Sequence, residues 1–287
     1  MAPQVWLVTG ASSGFGALIA EKALEAGHKV IATARNPTKA AQDYPQIESL
    51  GGKWLQLDVT SMTAKEEVEK AIADYAGGRI DVLINNAGYG LLGSIEDVSE
   101  EELDTQFQTN VFGLVRVTKA ALPIMRAQRS GTIVNISSIA GFAAGPSGAP
   151  YSMSKFAVEA LSESLSAELS AFNIRVLLVE PGAFRTNFIG GRKTPAAGMT
   201  KDYEGTPLGA AMGFWDTFGG KQPGDPVKGV QRILDVIQLQ GMGEGKGHLL
   251  RLPLGTDCLP RMLKKVDDLK RDLEEMREIA LSTAVEE

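Results

Sequence analysis

Short apolar runs rich in β-branched residues recur along the chain at Val5 to Thr9, Lys29 to Ala34, Trp54 to Val59, Val82 to Asn85, Thr132 to Ile136, Ile174 to Val179 and His248 to Leu252. Between them lie segments with the period of amphipathic helices, among them Ala17 to Ala26 and Glu101 to Gln128. Ser99, followed three residues later by Glu102, has the form of a capping box that opens the second. Strands that are apolar almost throughout and alternate with helices belong to parallel sheets buried on both faces. The pattern predicts an α/β fold: one domain over residues 1–287, built on a doubly wound, seven-stranded parallel sheet with helices on both faces. In such sheets ligands bind at the carboxyl ends of the strands, near the point where the strand order reverses.

The alternation lapses twice. From Asn187 to Pro226 the chain is rich in Gly and Pro yet carries Tyr203, Phe214, Trp215 and Phe218. Connections of that length are usually functional or disordered, and we read residues 187–226 as a substrate-binding lid. Near the end, Leu259, Met262, Leu263, Val266, Leu269, Leu273 and Met276 recur at helical spacing. They predict a C-terminal helix within residues 257–281 whose stripe packs on its own subunit or meets a second one.

A 44% hydrophobic content over 287 residues is enough for a sizeable core. A net charge of -6, with no stripe of Lys and Arg, argues against nucleic acid as a partner. One cysteine, Cys258, excludes an internal disulfide, and two histidines give no zinc cluster, so no metal is expected. The start, MAPQVWLVTG, passes straight into an apolar strand, and no stretch approaches ~20 uninterrupted apolar residues. The expectation is a cytoplasmic protein without an integral membrane segment.

Candidate chemistry gathers after the strands. The first runs into Thr9-Gly10-Ala11-Ser12-Ser13-Gly14-Phe15-Gly16 and then a helix. Glycines there let backbone N-H groups approach a pyrophosphate, which the positive end of the helix also attracts. The spacing G-x-x-x-G-x-G departs from the general G-x-G-x-x-G fingerprint. At the end of the second strand Ala34 offers no carboxylate to repel a ribose 2'-phosphate, and Arg35 offers a guanidinium to pair with one. NADP(H) is therefore preferred, with NAD(H) left open. Asp58 and Val59, after the third strand, face the adenine side, and Asn86-Ala87-Gly88, after the fourth, permit close approach of a cofactor.

Tyr151 and Lys155 stand at i and i+4 on one flank of a helix. A free tyrosine has a pKa of ~10, so acid-base work near neutrality means shifting it by about three units, roughly 4 kcal/mol. A lysine ammonium and an oxidised nicotinamide ring would act in that direction. Ser138 ends the fifth strand on the same rim as the glycine loop, where its hydroxyl could bind a carbonyl oxygen while Tyr151 supplies the proton.

At TGASSGFG, LDVT, NNAG, TNVFGL, IVNISS, YSMSK and PGAFRT, the sequence resembles the single-domain, NADP(H)-preferring branch of the short-chain dehydrogenases/reductases. The resemblance runs from about residue 5 to 186 and implies a Rossmann-type fold. It also implies that Tyr151 is the general acid in reduction and the base in oxidation, with Ser138 orienting the reacting oxygen. Lys155 would bind the nicotinamide ribose and lower the Tyr151 pKa, and Asn110 would hold a water that links Lys155 to solvent. Pro181, Gly182, Phe184 and Thr186 would lie at the nicotinamide, with Thr186 bonded to its carboxamide. The family's serine register selects Ser138 over Ser137. The basic residue that sometimes precedes the second glycine is Ser13 here, so the NADP(H) preference rests mainly on Arg35. The long insertion resembles that of members acting on bulky steroids, retinoids or polyketides.

The expectation is an NADPH-dependent carbonyl reductase, reversibly an alcohol dehydrogenase, for a hydrophobic ketone or secondary alcohol. Tyr89, Phe142, Phe184, Phe214 and Trp215 would line its apolar pocket, and family likeness implies a homodimer or homotetramer. Two other readings use the same motifs: a non-catalytic NADP(H)-binding redox sensor, which has no use for the full Ser, Tyr and Lys set, and an epimerase or dehydratase on nucleotide sugars.

Overall fold

The seven apolar runs become strands: β1 (Val5–Val8), β2 (Lys29–Ala34), β3 (Lys53–Gln56), β4 (Val82–Asn85), β5 (Gly131–Ile136), β6 (Ile174–Pro181) and β7 (Arg251–Leu254). A computed structural model describes residues 2–285. All strands pair in parallel, in the order β3-β2-β1-β4-β5-β6-β7. The order reverses between β1 and β4, and the loops after those two strands open the crevice.

Around the sheet run α1 (Gly14–Glu25), α2 (Pro37–Asp43), α3 (Pro45–Ser49), α4 (Ala64–Ala76), α5 (Glu100–Phe107), α6 (Gly113–Gln128), α7 (Ala149–Leu169), α8 (Pro207–Thr217), α9 (Pro226–Gln238), α10 (Cys258–Glu275) and α11 (Arg277–Leu281). Successive strand residues point to opposite faces, which splits the core in two. Trp6, Val8, Val134 and Leu177 pack with α1 and α9 through Ile19, Ala23, Val230 and Ile233. Leu7, Leu83, Ile133 and Val176 pack with α4, α6 and α7 through Val68, Ile72, Val117, Met125 and Leu165. With both faces covered, one sheet accounts for one domain.

Four segments differ from the sequence expectation. The third strand closes at Gln56, three residues before Val59. The last strand begins three residues late, because residues 241–249 fold into turns and only the Leu250 carbonyl joins the ladder, accepting from Leu178 N-H at 2.7 Å. The helix expected over Glu101 to Gln128 keeps its capping box, with Glu102 N-H donating to Ser99 Oγ at 3.2 Å. It is interrupted, however, by a π-helical turn at Gln108–Phe112. The C-terminal stripe contacts its own subunit only at its start, where Cys258 and Met262 pack on Ile139, Phe142 and Ala143. Leu259, Leu263, Val266, Leu269 and Leu273 are all exposed.

Residues 187–226 are ordered by straps to the segment after β4. Lys193 exchanges backbone hydrogen bonds with Gly90 and Leu92 at 2.8 and 2.9 Å. Ala196 N-H donates to Glu102 at 2.8 Å, the Thr200 hydroxyl to Asp97 at 2.6 Å and the Tyr203 hydroxyl to Glu96 at 2.9 Å. Trp215, on α8, donates its indole N-H to Ser147 Oγ at 3.2 Å. Ser147 is buried and left-handed, at φ +64°. No helix among the described residues is long and apolar enough to cross a membrane.

Candidate active site

A cleft of about 950 Å³ runs from the glycine loop to the start of α7. At its outer end the chain turns through Gly10 (φ +64°) and Gly14 (φ +54°), a conformation that side chains rarely adopt. At Gly16 a Cβ would lie 2.4 Å from the Gly10 carbonyl oxygen, so this turn closes only on glycine. Asn86 holds it by donating its Nδ2-H to the carbonyls of Thr9 and Gly10, each at 3.0 Å. The first turn of α1 carries no acidic residue, and Ser13 at its N-cap leaves the backbone N-H groups uncapped by its side chain. Open N-H groups, a helix N-terminus and no Cβ in the cradle fit the pyrophosphate of a dinucleotide. Arg35 is exposed on the same rim and forms no ion pair with a described residue. Burial pushes the Asp58 carboxyl up, but hydrogen bonds from Thr60 and the charge of Arg35 outweigh it and leave the group below its usual range.

At the inner end, α7 begins at Ala149 with Pro150 in its first turn, which suits its fixed φ. The buried flank of α7 carries Tyr151, Ser154, Lys155, Val158, Glu159, Ser162 and Leu165, which holds Tyr151 and Lys155 inward beneath the cleft, while Met153 and Phe156 stay exposed. Tyr151 is 8% and Lys155 5% exposed. The Lys155 ammonium stands 5.9 Å from the centre of the Tyr151 ring and donates to the Ile136 carbonyl at 2.6 Å. Burial pushes the Tyr151 phenol up to about 12, with the Ser138 hydroxyl acting in the opposite sense. Burial also pulls Lys155 down to about 8, against the negative charge of Glu159. Burial therefore favours the protonated phenol. The Lys155 charge does not offset the burial of Tyr151, which differs from the sequence expectation.

The two adjacent serines point apart. Both line the cleft, but Ser137 donates its hydroxyl to the buried Glu159, while Ser138 Oγ accepts the local Ala140 N-H at 3.1 Å and lies beside Tyr151. Asn110 lies behind the cleft wall. The π-helical turn presents its amide to Tyr89 and Ser154: Nδ2-H donates to Tyr89 O at 2.9 Å and to Ser154 Oγ at 3.0 Å, and Oδ1 accepts from Tyr89 N-H at 3.1 Å.

Most of the sequence-derived positions share this one cleft. Gly10, Ser12, Ser13, Gly14, Phe15, Arg35, Asp58 and Val59 line its outer part; Asn86, Ala87, Gly88, Tyr89, Pro181, Gly182, Phe184, Thr186 and Trp215 line the rest with the Ser138, Tyr151 and Lys155 group. Gly16 supports the cradle from behind. Two expected pocket aromatics lie elsewhere. Phe142 turns away to stack on the Arg251 guanidinium at 5.6 Å, and Phe214 is 48% exposed on α8, with its ring 4.4 Å from that of Phe218.

A family model for short chain dehydrogenases matches residues 4–195. The chain belongs to this family. It is an oxidoreductase of the short-chain type, and its relatives span the same core. An oxidoreductase of Passalora fulva, claN, is 50% identical over 192 residues, 67% of this chain and 87% of that one. The 3-ketodihydrosphingosine reductase of Bacteroides thetaiotaomicron is 46% identical over 206 residues, covering 71% and 72%. Among solved structures, a short-chain dehydrogenase from Streptomyces avermitilis superposes with a TM-score of 0.88 at 38% identity over 99% of this chain and 100% of that one. A serine dehydrogenase complexed with NADP+ superposes at 0.70, with 29% identity over 87% and 94%.

Several residues of this short-chain dehydrogenase's cleft carry no motif. The Phe188 ring lies 5.5 Å from that of Tyr151, and Leu91, Leu92 and Ile189 add apolar wall. Asp257, from the start of α10, accepts the Ala183 N-H at 2.9 Å; a Cβ on Gly182 would fall 2.3 Å from its Oδ1, so the Pro181-Gly182 turn is shaped around it. Only Phe188 had a signal in sequence, as an aromatic next to the PGAFRT stretch.

Proposed function

We propose that this protein is an NADPH-dependent carbonyl reductase, reversibly an alcohol dehydrogenase, for a hydrophobic ketone or secondary alcohol. The observation that carries the reading is the convergence of Ser138, Tyr151 and Lys155 at one end of a cleft whose other end is a glycine cradle. When bound, the nicotinamide cofactor supplies the hydride in reduction and accepts it in oxidation. The chain's own residues manage the oxygen. The Ser138 hydroxyl donates to the carbonyl oxygen and holds it beside Tyr151, which passes its phenolic proton to that oxygen as charge develops. Burial holds the phenol up to about 12, so proton transfer near neutrality calls on the Ser138 hydroxyl and the positive charges around the bound substrate to lower it. The Lys155 ammonium favours the phenolate left behind, since opposite charge stabilises the ionised form.

NADPH over NADH is supported by Ala34 and Arg35 at the end of β2 and by the NADP+ held in the serine dehydrogenase structure. A ketone substrate is supported by the relative named as a 3-ketodihydrosphingosine reductase. Its apolar character is supported by Phe188, Leu91, Leu92, Ile189 and Trp215 around the inner cleft. The test is incubation with NADPH and a panel of apolar ketones, followed by loss of nicotinamide absorbance. Ketone-dependent oxidation, faster with NADPH than with NADH, is expected. No turnover with any ketone or alcohol, alongside tight NADPH binding, would favour a sensor instead.

A further inference from the structure

Directly beneath the reaction site, charged side chains from three elements meet in the interior. Glu159 follows Lys155 by one helical turn, so Tyr151, Lys155 and Glu159 form a ladder along α7. Glu159 is 6% exposed, and its carboxylate accepts from the Ser137 hydroxyl and from Arg251. Glu180, fully buried near the end of β6, accepts from the same Arg251 nitrogen at 2.6 Å. The other terminal nitrogen of the guanidinium reaches outward to Glu163 at 2.5 Å. Ser137 precedes Ser138, Glu159 shares the Lys155 helix, and Glu180 precedes the Pro181-Gly182 turn. The cluster therefore joins the backbone segments that carry the reacting groups.

The charges are unevenly shared. Glu159 has both the Arg251 guanidinium and the Lys155 ammonium beside it, Glu180 has the guanidinium that Glu159 already shares, and Glu180 Oε2 reaches no donor among the described residues. An unpaired buried carboxylate oxygen is costly, and a proton is the simplest relief. The groups around Glu180 are Glu159 and Glu163 from α7, Arg251 from β7, Asp257 at the N-cap of α10 and Cys258 in its first turn, the last donating its thiol to the Glu180 carbonyl at 3.1 Å. Only Arg251 among them is positive. Burial and the charge of Glu159 hold the Glu180 carboxyl well above the usual carboxylate range.

We propose that Glu159, Glu180 and Arg251 are positioning residues: the one guanidinium holds both carboxyl groups, Glu180 carries a proton, the cluster locks β5, β6, α7 and β7 together under Ser138 and Lys155, and the Glu159 carboxylate keeps the buried Lys155 ammonium charged. The proposal rests on the reading of Tyr151 and Lys155 as the working pair. Glu159 acts through Lys155: it is the negative group that opposes the effect of burial on the ammonium.

The test compares Glu159→Gln, Glu159→Asp and Glu180→Gln with the wild-type protein by two readouts. One is the alkaline limb of kcat for NADPH-driven ketone reduction. The other needs no turnover: the pH dependence of Lys155 acylation by acetic anhydride, read by peptide mass spectrometry. Glu159→Gln should move both midpoints down by about half a unit or more, which makes Lys155 label roughly threefold faster below the midpoint. Glu159→Asp, which keeps the charge, should restore most of the shift, whereas a purely structural role would leave both midpoints in place. Glu180→Gln, isosteric with the protonated carboxyl, should fold as the wild type does and leave the Lys155 midpoint unchanged. An unshifted midpoint in Glu159→Gln would overturn the tuning of Lys155, and failure of Glu180→Gln to fold would overturn the proton on Glu180. The second variant decides that part even if the first does not fold. Absence of ketone reduction in the wild type would instead remove the proposed function, leaving the labelling to judge the cluster.

Discussion

Reversing the charge at Arg35 tests the cofactor preference at one side chain. The guanidinium is exposed at the end of β2 and has no carboxylate partner among the described residues, so it is available to an incoming anion. Hydrogen bonds between charged partners contribute about 1.5–3 kcal/mol. Exposure and salt screening place this one toward the low end. Arg35→Asp removes that attraction and sets a second carboxylate near Asp58 against the 2'-phosphate, so the combined loss is about 3 kcal/mol. That corresponds to roughly a 100-fold weaker affinity for NADPH. NADH has no phosphate to repel, and an acidic side chain here can accept from its free 2'-hydroxyl, so its affinity should hold or improve. Titrations that follow nicotinamide fluorescence on binding would measure both, and raising the salt concentration should shrink the NADPH effect. An Arg35→Asp variant whose NADPH-to-NADH affinity ratio stayed within about twofold of the wild type would refute the assignment.

Further expectations follow from particular contacts. Gly16→Ala places a Cβ 2.4 Å from Gly10 O and 2.5 Å from Asn86 Nδ2. Overpacking of that kind costs about 1–3 kcal/mol, so NADPH and NADH should both bind about tenfold or more weakly in the same titrations, with their ratio unchanged. Phe188→Ala removes the ring against Tyr151 and should raise KM for a bulky apolar ketone about tenfold, with little change for a small one, in steady-state kinetics. The Glu180 carboxyl holds its proton more tightly folded than unfolded. The folded state thus binds more protons between the usual carboxyl range and the raised value, and this group's stabilisation falls as pH rises through that window. Urea unfolding across that range should show Glu180→Gln gaining stability relative to the wild type as pH rises.

The sheet was legible because both of its faces are covered: VWLV is apolar throughout, and KVIATA is buried at every position after its opening Lys29, which leaves few other places for them. The cradle and the Tyr151 to Lys155 spacing were legible because their geometry is local, set by positive φ in one case and by the helical turn in the other. What the sequence did not show is set by long-range packing. The π-helical turn that aims Asn110 holds no Gly or Pro within Gln108–Phe112, and the Gly113 that follows it is set by close packing on Val59, a contact spacing does not show. Phe142 and Phe214 looked like pocket residues by type alone, whereas a guanidinium and a neighbouring aromatic took their rings. Glu159 and Glu180 lie 92 and 71 residues from Arg251, a separation over which spacing carries no signal. The dominance of burial over the Lys155 charge at Tyr151 depends on depth beneath the cleft, which residue order does not encode.

The central claim is that one phenolic proton completes the reduction of a ketone. Tyr151→Phe deletes that hydroxyl and keeps the ring that packs against Phe188. Ketone-dependent NADPH oxidation should fall by about 10²–10⁴-fold, the range a general acid contributes, while NADPH affinity stays within about threefold of the wild type. A Tyr151→Phe variant that reduced the ketone at the wild-type rate would contradict the account.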